Sequence, residues 1–358
     1  MRRGYLLVNC WLFICIMAGA QYKALNSNTG GSIFSGDSIL ELTLSGNLRE
    51  LLDDRAEISS LHKLMLKYKN PEGHETGIPI EAKTRGHFRK MTENCSYPPL
   101  QLQFTPNSQL DTSFFSEQHK MKLVMPCQGE AYIVREWLAY KIYNLVTPLS
   151  FQAKLVKVTM DDTKKKKNIP PFYGILLEEE KQLAKRNKLV SIDRKINPQQ
   201  TNRNYFLTMA VFQYLIGNTD WSIQYQQNIK LMATDSNATP ISIPYDFDHS
   251  GLVGAPYAHP AEELQMQSVQ ERRFRGYCME NLKEFEPILA KYNALKPAVL
   301  SLINDCVYLD SKAKKNLAVF LEGFYANINT PKLWQHDFAY PCDKNGTGNV
   351  VIKGLREN

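Results

Sequence analysis

The chain has 358 residues, of which 43% are hydrophobic and 22% are charged. This composition excludes a disordered or fibrous protein, and the length suffices for one large or two small domains. The formal net charge is +7 at pH 7. Because no arginine-rich stripe with interleaved aromatic residues accompanies this mild excess, the sequence argues against a nucleic-acid-binding function.

Residues 1–20 have the organisation of a secretory signal peptide. Two arginines precede an apolar run at 6–17, and Ala18 and Ala20 frame a small-residue cleavage site. The run is too short to span a membrane comfortably, and no other apolar stretch of the sequence approaches membrane length. We therefore expect cleavage near Ala20 and a secreted or periplasmic protein with no membrane span after cleavage.

Cleavage would leave five cysteines, namely Cys95, Cys127, Cys278, Cys306 and Cys342. Export permits disulfides. Sequence separation favours pairing of Cys95 with Cys127 and of Cys278 with Cys306, although the sequence alone does not determine the pairing. The sequence has no CxxC motif or Cys/His cluster, so we do not expect a zinc site.

The N-terminal half is predicted to form an antiparallel sheet, because alternating apolar segments follow one another with turn residues between them. A helix is predicted over 131–145. It is followed by a strand pair at 152–160 and 172–177, on either side of a lysine-rich turn at 164–167. The earlier strands are predicted at 38–44, 61–68, 78–84, 98–104 and 119–124.

The C-terminal half contains predicted helices and one arginine cluster. The polar stretch 181–202 is interpreted as a linker, and the apolar spacing over 281–327 predicts three amphipathic helices. Between them, Arg272, Arg273 and Arg275 are close enough in sequence to clamp a phosphate or another acidic group through bidentate contacts. Solvent-exposed charges are the alternative interpretation of this cluster.

The stretch in the middle of the chain carries most of the residues of catalytic type. Apolar spacing predicts a buried helix over 203–216, which Gly217 would end in a left-handed conformation. Asp220 follows in a loop. Two short strands are then predicted at 229–232 and 241–244, and the second one leads directly into a pair of aspartates.

These polar residues favour phosphoryl transfer. Asp220 and Asn228 are expected to face Asp246 and Asp248 across the small hairpin. Carboxylates held close together repel each other unless a cation lies between them, and hard oxygen ligands suit Mg²⁺ or Mn²⁺. Local hydrogen bonds to the backbone in turns are the structural alternative for each of these side chains.

The order of a helix, a GNTD loop, an asparagine on the next strand and a DFD motif resembles the spore-coat CotH kinase-like family of the protein-kinase-like superfamily. The YGILLEE segment at 173–179 resembles the segment that leads into the family's hinge, where backbone groups hold adenine. The resemblance covers 78–255. It implies an α+β, two-lobed protein-kinase-like fold, with a β-rich N-lobe at 21–180 and a mainly helical C-lobe at 181–340. An irregular tail is expected at 341–358.

The resemblance also implies an activity. The protein would bind ATP with Mg²⁺ or Mn²⁺ and transfer the γ-phosphoryl group to a hydroxyl of an acceptor, either a protein or a glycan. Asp220 would orient this hydroxyl or accept its proton. Asn228 and Asp246 would hold the metal, with Asp248 as an alternative or second ligand.

The phosphate-binding residues depart from the family pattern. The RGHFR segment that begins at Arg85 lines up with the family's RGNS segment, which makes Arg85 a candidate ligand of the nucleotide. Gln101 and Gln103 stand where the family has lysines. Lys122 is therefore the candidate lysine, paired with Glu136 near the start of the next helix. An exposed lysine and a glutamate in the first turn of the helix are the alternative.

Two further functions remain open. Asn228 follows Asp220 at a longer spacing than in kinases, and the sequence has no GxGxxG loop. The longer spacing bears on the metal role of Asn228, whereas the missing strand lysines and the missing GxGxxG loop favour a catalytically inactive pseudokinase that acts as an extracytoplasmic binding module. A carbohydrate hydrolase that uses two carboxylates is the other alternative. It would be active without a nucleotide.

Overall fold

A computed structural model describes residues 33–340, except for 71–72, 112 and 165–168. The expected signal peptide at 1–20, the tail at 341–358 and most of the lysine-rich turn lie outside the described residues. In the part of the chain that is described, no helix is long and apolar enough to cross a membrane.

The N-terminal region is a seven-stranded closed barrel with the strand order β1-β2-β3-β4-β5-β7-β6. Neighbouring strands are antiparallel except for β1 and β6, which pair in parallel and close the barrel. The predicted antiparallel pairing is confirmed except between β1 and β6, and the closure, which leaves no unpaired edge, was not predicted. The strands are β1 (Leu40–Gly46), β2 (His62–Lys69), β3 (Glu75–Thr84), β4 (Leu100–Phe104), β5 (Lys120–Val124), β6 (Ala153–Asp162) and β7 (Phe172–Leu177).

Alternation along the strands fills the barrel with apolar side chains. In β4, Leu100, Leu102 and Phe104 are buried, whereas Gln101 and Gln103 are only partly covered. This confirms the alternation predicted for the segment, because successive side chains of a strand point to opposite faces. The two short helices of this region are α1 (Leu48–Asp53) and α2 (Ser108–Asp111).

The long helix α3 (Glu130–Val146) joins the barrel to the helical region, because it packs on β6 and β7 on one side and on a C-terminal helix on the other. Glu136 does not lie near its start, as the sequence interpretation had it. Glu130 provides the acidic residue of the first turn. Glu136 lies further along α3, and its side chain is only 1% exposed.

The predicted linker at 181–202 is folded. It contains α4 (Glu180–Arg186) and a short strand, β8 (Val190–Ser191). Although the stretch is mostly polar, its residues Leu183 and Ala184 are buried in the apolar core. The strand β8 pairs with β9 (Ile229–Ala233).

The helix α5 (Arg203–Ile216) begins and ends where the sequence predicted. The side chain of Asn202 caps its N-terminus by accepting a hydrogen bond from the Tyr205 N–H at 3.3 Å. Gly217 ends it with φ +65°, a backbone conformation that glycine adopts without a steric cost. After α5, the chain forms the antiparallel hairpin of β9 and β10 (Ile241–Pro244).

The C-terminal helices are α6 (Glu286–Asn304), α7 (Ser311–Ile328) and α8 (Pro331–Phe338). The first two of the three helices predicted over 281–327 correspond to a 3-10 turn at Leu282–Phe285 and one continuous helix, α6, which runs through Pro297. The helices α3, α5, α6 and α7 share one apolar core.

The disulfide Cys95–Cys127 is confirmed. It links the segment after β3 to the connection between β5 and α3. The pairing of Cys278 with Cys306 was wrong, because Cys306 is a free, buried thiol whereas Cys278 is disulfide-bonded.

Candidate functional site

Nearly all the predicted site residues line one cavity of about 660 Å³ between the barrel and the β9–β10 hairpin. The carboxylates of Asp220 and Asp246, which come from different elements, both belong to its wall. Glu136 is the exception, since it is buried outside the lining of this cavity. The lining includes Arg85, Lys122, Asp220, Asn228, Asp246 and Asp248.

Lys122 forms an ion pair with Asp246 across the cavity. Its Nζ lies 3.0 Å from both carboxylate oxygens of Asp246, and its side chain is only 9% exposed. The predicted pair of Lys122 with Glu136 was therefore wrong, because β5 directs the amino group to the hairpin aspartate. Burial alone would raise the pKa of Asp246, but Lys122 and Arg89 opposite it hold this pKa below its usual range.

The backbone of Asp246 is fixed independently of its side chain. The residue has φ +61°, in the left-handed region that few non-glycine residues adopt. Its N–H donates a hydrogen bond to the hydroxyl of Tyr140 at 2.9 Å. Tyr140 is fully buried on α3, so the helix fixes the turn that presents the carboxylate to the cavity.

Arg89 is a site residue that the sequence interpretation missed, although it is the second arginine of the RGHFR segment. Its Nη1 lies 3.5 Å from Asp248 and 3.7 Å from Glu136, and its side chain is 8% exposed. Asp248 also accepts a hydrogen bond from the Tyr257 hydroxyl at 3.1 Å. Burial, and next the charge of Asp248, raise the pKa of Glu136 to about 8, although Arg89 opposes them.

Asp220 follows α5 and is held by two side-chain amides. Gln227 donates to Oδ1 at 2.5 Å, and Asn228 donates to Oδ2 at 3.0 Å and to the Asp220 carbonyl at 2.8 Å. The longer spacing is accommodated because Ser222 pairs with Gln227 and closes the intervening loop. Burial, and the nearby Asp248 and Asp246, raise the pKa of Asp220 against the opposing effect of His249.

The predicted arginine clamp was wrong for two of its three members. Arg275 is buried and donates to the carbonyls of Thr219, at 2.7 Å, and Trp221. Arg272 donates to the carbonyls of Leu215 and Phe320. Arg275 therefore satisfies backbone carbonyls beside Asp220, and Arg272 satisfies one in α5 and one in α7.

A second cavity of about 230 Å³ lies beside the first, at the end of β7. Arg85, Lys122 and Tyr245 line both cavities. The N–H of Glu178 in this segment already donates to the Gln152 carbonyl at 2.9 Å. The second cavity is the place where the YGILLEE segment borders the site.

The carboxylates as arranged do not fit a divalent ion. Their oxygen atoms are the ligand type that Mg²⁺ and Mn²⁺ prefer. Yet Asp246 is paired with Lys122, Asp248 with Arg89, and Asp220 with amide donors. Among the residues that the structure describes, no group of three or more His, Cys, Asp or Glu side chains is arranged to hold a metal ion.

Comparisons with known proteins do not identify the family of this chain. No family model and no curated protein matches the chain. Among solved structures, it is similar to the crystal structure of a Helicobacter pylori proinflammatory kinase, CtkA, at 14% identity and a TM-score of 0.36. The match covers 59% of this chain and 88% of that one. A likeness this weak carries no argument about fold or function. The structure itself defines a mixed α+β protein with a strand-rich N-terminal region and a helical C-terminal region.

Proposed function

We propose that the protein is a kinase-like phosphotransferase that binds ATP in the cavity and transfers the γ-phosphoryl group to a hydroxyl of a protein or glycan acceptor. One observation supports this proposal above all. Asp220, Asn228, Asp246 and Lys122, predicted from separate segments of the sequence, line the same solvent-accessible cavity. In the proposed protein-kinase-like fold, these segments form the N-lobe and C-lobe walls of the nucleotide cleft.

Asp220 is the proposed proton acceptor. The amides of Gln227 and Asn228 fix its carboxylate in one orientation. A positioned carboxylate is sufficient for this role, because the transition state of phosphoryl transfer is loose and the attacking hydroxyl needs orientation more than strong activation.

The triphosphate would lie against the cationic wall of the cavity. Lys122 and Arg85 line both the main cavity and the second cavity. If the phosphates lie near these two side chains, the adenine would lie toward the YGILLEE segment. Charge-assisted hydrogen bonds from lysine and arginine are strong ligands of phosphate oxygens. The resemblance implies an accompanying Mg²⁺ or Mn²⁺ ion, but this proposal assigns no step to a metal because the carboxylates as paired do not fit one.

Export is part of the same proposal. It is supported by the signal-peptide pattern at 1–20 and by the Cys95–Cys127 disulfide, a feature typical of oxidising compartments. The acceptor would accordingly be an extracytoplasmic protein or glycan.

A pseudokinase that only binds ligands is the second candidate. The observation that favours it is the pairing of both Asp246 oxygens with Lys122, each at 3.0 Å. This pairing removes the carboxylate from the metal-binding role that the resemblance assigns to it.

The test is phosphoryl incorporation from γ-labelled ATP into the protein and into candidate acceptors. Asp220→Asn should lower the rate by about 10²–10⁴-fold, the typical contribution of a positioned acid or base. Asp235→Asn, in an exposed turn, is the matched control and should keep the wild-type rate. ATP binding without any transfer would favour the pseudokinase. An Asp220→Asn variant as active as wild type would overturn the proposed role of Asp220.

A further inference from the structure

The cavity contains its own counter-charges. Lys122 neutralises Asp246 through both carboxylate oxygens, and Arg89 lies 3.5 Å from Asp248. At this position the two acidic side chains are therefore balanced by two basic ones. Each of these four side chains lines the cavity wall.

Both cations are fixed in place. The side chains of Lys122 and Arg89 are only 9% and 8% exposed. Arg89 also donates to the Met125 carbonyl. Its segment is tied down further along by the Cys95–Cys127 disulfide and by a 2.9 Å hydrogen bond from Asn94 to the Phe88 carbonyl. Neither side chain can swing out to solvent without breaking buried interactions.

A divalent ion on Asp246 would have to displace Lys122 or lie against it. Two like charges at contact distance in a partly buried site repel each other strongly, by about 4 kcal/mol for unit charges at 4 Å and an effective dielectric constant of 20. Arg89 imposes the same restriction at Asp248. The protein therefore already supplies the positive charge that a metal ion would bring.

We propose that Lys122 and Arg89 take the place of a divalent ion as the counter-charges of Asp246 and Asp248, so that the cavity binds a nucleoside polyphosphate without a metal. This inference rests on the nucleotide site of the proposed function. The Nη1 of Arg89 faces Asp248 at 3.5 Å, and its Nε is a further buried donor without a hydrogen-bond partner.

The first experiment is calorimetric titration of ATP into the full chain, once with EDTA and once with MnCl₂. The proposal expects dissociation constants that agree within about threefold, since a metal contributes no differential affinity. Binding that requires Mn²⁺ would overturn the proposal and leave the nucleotide site intact. A failure of ATP to bind under either condition would overturn both the inference and the proposed function.

Asp246→Asn should change the affinity for ATP in opposite directions in a metal-free and in a metal-dependent nucleotide site. Without the carboxylate, Lys122 is free to contact phosphate, so ATP in EDTA should bind several-fold more tightly than to wild type. If Asp246 instead held a metal between itself and the nucleotide, the same variant would bind ATP more weakly than wild type in MnCl₂. Asp235→Asn is the matched control with no expected change.

A third measurement uses Mn²⁺ alone, without nucleotide. Wild type should show no rise in melting temperature, whereas Lys122→Met frees the Asp246 carboxylate and should gain a Mn²⁺-dependent rise. Lys63→Met, at an exposed position on β2, should behave as wild type. A Mn²⁺-dependent rise in wild type, or none in a folded Lys122→Met variant, would contradict the proposal.

Discussion

The two walls of the cavity are built in different ways. On the hairpin wall, Asp220 and Asp246 each follow a regular element, α5 and β10, and Tyr140 of α3 holds the left-handed backbone at Asp246. On the barrel wall, Arg89 comes from a segment with little regular structure, and contacts with distant parts of the chain fix it. The two aspartates thus lie directly after regular elements, whereas Arg89 depends on tertiary contacts alone.

Removal of Arg89 from the barrel wall should lower the stability of the protein more than any other substitution in this series. Arg89→Met leaves Asp248 and Glu136 without their buried cation, which should cost about 3–5 kcal/mol in the free energy of unfolding. Denaturation by guanidinium chloride measures this change in the free energy of unfolding. Arg49→Met, which removes an exposed pair with Asp53, should cost less than about 1 kcal/mol. Equal effects at the two sites would show that the buried cluster does not stabilise the fold.

Arg275→Met tests the support of the hairpin wall. The carbonyls of Thr219 and Trp221 would lose a buried donor, and an unpaired buried acceptor costs about 1–3 kcal/mol. The midpoint of urea denaturation should fall accordingly. Because these carbonyls flank Asp220, phosphoryl transfer by the folded variant should fall as well. A fully active and fully stable variant would contradict the bracing role of Arg275.

The pH dependence of stability reports on Glu136. Its pKa is raised from 4.5 to about 8 in the folded state, so the folded protein holds this proton more tightly than the unfolded chain. The resulting stabilisation is fully present below pH 4.5 and is lost as the pH rises toward 8. The slope from this group should be at most about 1.4 kcal/mol per pH unit. Glu136→Gln should remove this part of the slope in denaturation curves between pH 5 and 8, and an unchanged slope would contradict the assignment.

Gly217→Ala should have the smallest effect of this series. The left-handed backbone at φ +65° costs a residue with a Cβ atom about 1–2 kcal/mol. A Cβ atom would also meet the Val269 carbonyl at 3.2 Å. Gly73, at φ +83° with no atom within 4 Å of its Cβ position, is the matched control. The excess loss of stability at Gly217 over Gly73 measures how tightly the end of α5 is packed, and no excess would show that the site relaxes freely.

The same contrast explains what the sequence could and could not reveal. The bounds of α5 were predictable because an asparagine cap and a glycine end a regular apolar pattern. The approach of Asp220 and Asp246 followed from a short hairpin between them. The partner of Lys122 was not predictable, because strand pairing across the barrel decides where its amino group points.

Two other features were not predictable for a similar physical reason. The parallel closure of β1 on β6 joins segments that are far apart in sequence, and no local pattern encodes it. The arginines at 272 and 275 have the sequence pattern of a phosphate clamp, but their environment is buried carbonyls rather than solvent. In both cases the residues predicted the local element or the charge, but not the distant segment that they contact.

Photoaffinity labelling with an azido analogue of ATP, followed by peptide mapping, tests most directly whether the cavity is a nucleotide site. A nucleotide site predicts labels on peptides that line the second cavity, such as those containing Leu177 or Tyr245, and their loss in the presence of excess ATP. Labelling that is spread over the outer surface, or that excess ATP does not reduce, would contradict it.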